Sequence, residues 1–150
     1  MKMYFSIEKK VVFDEVAKNT AYIGAMNDAY EKVSTVEANA DILQSFLVSA
    51  CNEVACAAAA FAPVADCGEV EDEWISVNVT LPDTFDTNKR LIITNLLQEF
   101  FVAGVLWRWL LLAVPEMAPV WEMKTKDIIQ KVVRGLNART TRVKKPMRPF

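Results

Sequence analysis

The chain contains no histidine and only four glycines. The first absence removes the side chain that titrates nearest neutral pH and serves most often as a general base. It also leaves the three cysteines without the fourth ligand that a structural zinc site needs. With so few glycines there is no glycine-rich loop to cradle a phosphate. None of the cysteines stands beside a recognisable basic partner that would make it a nucleophile. Carboxylates such as Glu53 or Glu99 are able to do acid–base work, but a solvated face or an ion pair explains them more simply. The expectation is therefore no enzyme, no cofactor and no metal.

Cysteine usage and the first residues bound the compartment. Cys51, Cys56 and Cys67 are odd in number, and Cys51 and Cys56 stand five apart on a predicted helix, pointing to different faces. Reduced thiols are expected in preference to bridges. The opening MKMYFSIEKK lacks the continuous apolar run and small-residue cleavage site of a secretory signal, so the chain is expected to stay in the cytosol where it is made. A length of 150 residues suits one domain with one substantial core.

What the sequence has in excess is a run of large apolar side chains from Leu91 to Val114. Ile93, Leu97, Phe100, Gly104, Trp107 and Leu111 recur at spacings of three and four and form one helical stripe. In the first half Thr94, Asn95, Gln98 and Glu99 occupy the opposite side and can face water. In the second half Phe101, Val102, Val105, Leu106, Trp109, Leu110 and Leu112 surround the helix, and only Arg108 is charged. A helix apolar all round is buried by more chain, by a partner or by lipid. Lipid is disfavoured, because Asn95, Gln98, Glu99 and Arg108 lie inside the span and a central charge costs at least about 2.5 kcal/mol. A core helix, or one shared with a neighbouring subunit, is the expected reading.

Around it, residues 3–7 alternate and predict a short strand or an extended arm, and Lys9 to about Gly24 shows helical spacing. Asp28 to Asn39 is polar and reads as a connection or weak helix. A second helix is expected from between Val36 and Asp41 to Phe61, its small-sided VACAAAAFA end allowing another helix to approach, with Pro63 beyond it. Asp66 to Glu73 is an acidic loop. Residues 74–81 alternate, with Ile75, Val77, Val79 and Leu81 on one face, and predict a strand whose partner is either residues 3–7 or a neighbouring chain. Asp83, Thr84, Asp86 and Thr87 offer caps for the apolar helix. A last helix from Glu116 or Pro119 to about Asn137 places Trp121, Thr125, Ile128, Val132 and Leu136 on one side. The fold class expected is mainly α: a four-helix bundle-like domain over 1–138 with one or two short strands, flanked by an extended N-terminal arm and a basic C-terminal arm over 139–150.

Charge is divided unevenly along this plan. Residues 1–123 carry 8 Lys and Arg against 18 Asp and Glu, while residues 124–150 carry 9 against 1. The basic arm admits three readings: a salt-sensitive nucleic-acid arm, an assembly arm lying on the acidic body of another copy with Phe150 in an apolar pocket, or a solvated tail. Arg108 between two indoles fits a buried or rim ion pair with Glu53, Glu99 or Glu122, or an acid or phosphate from outside. The candidate assembly interface comprises Trp74, Ile75, Val77 and Val79 of the strand and Trp107, Arg108 and Trp109 of the apolar helix. Arg139, Arg142, Lys144, Lys145, Arg148 and Phe150 of the arm complete it.

Thr20-Ala21-Tyr22-Ile23-Gly24, Trp74 through Pro82, the helix from Leu91 to Leu110 with Trp109, and the end from Arg139 to Arg148-Pro149-Phe150 follow one another in a recognisable order. In that order the chain resembles small helical virion proteins encoded by tailed phages and prophages of Bacteroides-type bacteria, neck or tail components similar to the helical head-to-tail connector group. The resemblance implies a structural subunit that polymerises into a ring or collar around a DNA or tail channel. Its partners would be further copies and virion proteins such as portal or tail components, with DNA nearby and no membrane. Its location would be the virion, and the host bacterial cytoplasm during assembly. The competing expectation is a cytosolic helical nucleic-acid-binding or regulatory module that uses the basic C-terminal segment.

Overall fold

A computed structural model describes residues 1–26 and 39–140 of the chain. Within them the protein is mainly helical, with four α-helices and one three-stranded sheet. Strand β1 (Lys2–Glu8) leads directly into α1 (Lys9–Met26); α2 (Ala40–Ala57) is followed by a 3-10 turn and β2 (Val64–Asp66). Strand β3 (Trp74–Thr80) precedes a second 3-10 turn, then α3 (Arg90–Ala113) and α4 (Ala118–Leu136).

The alternation of residues 74–81 finds its partner inside the chain. β3 is the central strand, antiparallel to β1 on one side and to β2 on the other. Met3 faces Val79, Phe5 faces Val77 and Ile7 faces Ile75, so the period of two sends all six to one face of the sheet. Hydrogen bonds between Met1 and Leu81 in both directions, at 2.8 and 2.9 Å, and from Lys9 N to Glu73 O at 2.9 Å lengthen the ladder at both ends. The expected N-terminal arm is thus an integral strand. β2 was not foreseen, because three residues after Pro63 are too few for an alternation to register. Its pairing with β3 leaves β1 and β2 as edges, and Arg90 donates to the Tyr4 carbonyl at 3.2 Å on the β1 edge.

The helices cover the apolar face of that sheet. α3 packs most extensively on α4 and also touches α2, α1 and β1, which makes it the centre of the core. Ile93, Leu97, Phe100, Phe101, Val105 and Leu106 are all buried, and the Phe100 and Phe101 rings meet edge to face with centroids 5.7 Å apart. Val12, Val16, Thr20 and Ile23 bring α1 to the core at helical spacing. From α4, Thr125, Ile128, Val132 and Leu136 do the same, and Thr125 satisfies its hydroxyl on the Trp121 carbonyl at 2.8 Å. Asp86 accepts from Asn88 N at 3.1 Å, capping the turn that opens into α3.

Two expectations change. Leu111, on the expected core stripe, is 53% exposed. The seam holds as far as Gly104, where an added Cβ would lie 3.2 Å from the Ala50 Cβ, so α2 and α3 all but touch there. One turn later the long side chains of Arg108 and Glu53 face each other, and beyond them the stripe is uncovered. The C-terminal boundary also moves. Asp86 N bonds Ala138 O at 3.2 Å and Thr140 N bonds Thr84 O at 2.9 Å, with Arg139 bridged to Phe85, so residues 139 and 140 belong to the folded body. Residues 27–38 and 141–150, and with them the expected connection and most of the expected basic arm, lie outside the described residues.

Candidate assembly surface

The tip of the α3–α4 hairpin concentrates apolar surface. Val114 N closes onto Leu110 O at 2.7 Å and Met117 N onto Val114 O at 3.1 Å, a tight reversal that Pro115 enforces by ending α3. Around this turn Leu111, Leu112, Val120 and Met123 are 53, 64, 69 and 72% exposed. Pro119 occupies the first turn of α4, where its missing N–H costs nothing.

Behind the tip stands the Trp107–Arg108–Trp109 segment. The Arg108 guanidinium stacks 4.6 Å from the centre of the Trp107 ring, donates to Gly104 O at 2.8 Å and forms an ion pair with Glu53. Its side chain is nearly buried while that of Glu53 is partly exposed, so the pair sits at the rim and satisfies the one charge of the apolar segment locally. Glu53 is therefore engaged by Arg108, and Glu99 is a surface residue. Trp107 is half-buried with an indole N–H that meets no acceptor among the described residues. Trp109 is also half-buried and packs against the core.

The remaining candidates separate. Trp74 is half exposed on the outer face of the sheet, opposite Glu8. Ile75, Val77 and Val79, expected at an interface, are almost fully buried and face the chain's own helices, which corrects that expectation. The physical reason is the intramolecular pairing with β1, which closes the sheet into the core. Arg139 donates to the carbonyls of Leu136 and Ala138, both at 3.0 Å, and so caps the end of α4. Arg142, Lys144, Lys145, Arg148 and Phe150 lie outside the described residues.

Two constellations escaped the sequence reading. Lys9 is buried at the β1–α1 junction and its ammonium donates to the Glu69 carbonyl. Burial pushes its pKa below the usual lysine value, opposed by the nearby Asp72 and Asp66 carboxylates. Its place three residues before Val12, on the buried stripe of α1, was the available signal. The second is a disulfide between Cys51 and Cys67, with Cα atoms 6.7 Å apart, where reduced thiols were expected. The separation of Cys51 from Cys56 was informative only about those two; the return of β2 beside α2 brings up Cys67 instead. Cys56 is free and exposed.

Comparison with protein families, curated proteins and solved structures finds no match to this chain. By length and composition α3 is apolar enough to cross a bilayer; in this fold it is the helix on which the others pack.

Proposed function

We propose that the chain is a non-enzymatic structural subunit of a tailed-phage virion, a head–tail connector, neck or tail-adaptor protein. Its four helices would act as a bundle-like body that closes into a ring through the apolar end of α3 and the basic C-terminal arm. The observation that carries the reading is the hairpin tip, where four large apolar side chains remain in water. Full burial of such a side chain is worth roughly 1.5–3 kcal/mol, and at 53–72% exposure each of the four forgoes part of that until a neighbour covers it. The division of charge adds the second contact: an acidic body and a basic arm attract between copies, and a heterologous interface of that kind closes rings. Portal or tail components would meet the ring on its two faces, in the virion and earlier in the host cytoplasm.

A second reading rests on the same basic segment, which would make the chain a cytosolic nucleic-acid-binding or regulatory module. Light scattering after gel filtration, at low and at high salt, separates the two. The structural subunit gives a ring-sized species whose mass falls as salt screens the arm. Replacing Lys144, Lys145 and Arg148 by Glu abolishes that species. In the binding module the same replacement leaves a monomer a monomer and removes affinity for DNA.

A further inference from the structure

We infer that the Cys51–Cys67 bridge is a redox-operated clasp on the acidic segment 67–73, a dithiol in a reducing compartment and a disulfide in an oxidising one. The inference stands apart from the assembly reading. Cys51 lies on the buried face of α2 and Cys67 is the first residue after β2, so the bond ties the segment to the helix beneath it. Their Cα separation of 6.7 Å is at the wide end of the roughly 4.4–6.8 Å that disulfides span.

The reduced state is provided for as well. The Cys67 sulfur stands 3.5 Å from the Leu47 carbonyl oxygen, so a proton gained on reduction has an acceptor in place. The segment also keeps other holds when the bond opens. Gln44 Nε2 donates to Gly68 O at 2.8 Å and to Cys67 O at 3.3 Å, and Lys9 donates to Glu69 O. Asp66 at the end of β2 accepts from Gly68 N at 2.8 Å, and within the segment Asp72 accepts from Glu69 N at 2.7 Å. The polar hold is incomplete, because Gln44 Oε1 is buried and meets no donor among the described residues. The covalent bond therefore decides how firmly segment 67–73 is held, while its local shape survives without it.

Closure follows ordinary thiol–disulfide exchange with a small-molecule disulfide such as oxidised glutathione. One cysteine thiolate attacks the oxidant, forms a mixed disulfide and releases one glutathione thiolate; the second cysteine thiolate then displaces the other. Two electrons pass to glutathione, two protons leave the cysteines, and the Sγ–Sγ bond forms. Reduction by glutathione reverses each step. Both sulfurs are nearly inaccessible, so exchange in either direction waits for the segment to lift. Cys56 is outside the clasp and reports as an internal control.

The test equilibrates the native full-length chain in glutathione buffers from fully reduced to fully oxidised, then labels free thiols with N-ethylmaleimide in denaturant and weighs the product. The expected result is three labels when reduced and, when oxidised, only Cys56 carrying a label or a glutathione. On reduction, amide exchange within residues 64–73 should quicken at least tenfold, and the melting temperature should fall by roughly 5–10 °C. Cys51→Ser and, independently, Cys67→Ser should show the reduced-state exchange in both buffers, and Cys56→Ser should change nothing. Three labels under every oxidising condition would overturn the clasp, as would a bond that glutathione reduces only after global unfolding. Equal exchange at 64–73 in the two states, or a bond to Cys56, would overturn it too.

Discussion

From Ile93 to Leu110 and again around the hairpin tip, α3 and α4 draw on the same large apolar side chains, yet these meet opposite surroundings. Ile93, Leu97 and Phe100 are at most 1% exposed, whereas Leu112 and Val120 are each more than 60% exposed. The difference lies in the neighbours. The first part of α3 is enclosed by β1, α1, α2 and α4, and Gly104 against Ala50 removes the side-chain bulk that would hold the helices apart. At the tip, among the described residues, the chain folds back on itself through Val114 to Met117, and Leu111, Leu112, Val120 and Met123 stay more than half exposed. Hydrophobicity decides that a surface tends to be covered; the count of neighbouring elements decides whether its own chain does so.

Substitutions sharpen that contrast, and their effects are expected to fall in steps from the core to the tip. Phe100→Ala empties a fully enclosed site and should cost about 3–5 kcal/mol in urea unfolding; a cost below about 1 kcal/mol would mean the region is not the core. Gly104→Val puts bulk where a Cβ already meets Ala50 at 3.2 Å, and should cost about 1–3 kcal/mol through overpacking. Thermal melting of that variant beside Leu112→Lys completes the series. Leu112→Lys should leave stability within about 0.5 kcal/mol while lowering the mass measured by light scattering. If instead it destabilised the chain as much as Phe100→Ala, the tip would be part of the chain's own core and the contrast would vanish.

Much of the helical plan was legible because the 3.6-residue period was strong. The stripes Val12–Val16–Ile23, Leu43–Leu47–Val54 and Ile128–Val132–Leu136 all turn inward, and the expected helix limits fall close to the observed ones except at the end of α2, which stops at Ala57 and gives way to a 3-10 turn before the expected Phe61. The β1–β3 pair was one of two options, since alternation in residues 3–7 and 74–81 says which face is apolar and nothing about which strand lies beside which. β2 was invisible for want of length. Of the strand residues expected at an interface, Trp74 is half exposed while Ile75, Val77 and Val79 are buried, because a strand's apolar face looks the same in sequence whether a neighbour or its own helices cover it. Arg108 with Glu53 was among the expected pairings; buried Lys9 was passed over because lysine is rarely interior.

By itself the sequence determined the helices, the alternating strands, the polarity of their faces and the division of charge between body and C-terminus, because each follows from local periodicity or composition. Only the tertiary structure decided which apolar faces meet. It brought Cys67 to Cys51 and Lys9 to the Glu69 carbonyl, folded Arg139 and Thr140 back onto residues 84–85, and left Leu111 and Leu112 uncovered. These are contacts between residues distant in the chain, and their geometry is set by how helices and sheet pack together, which no local pattern encodes.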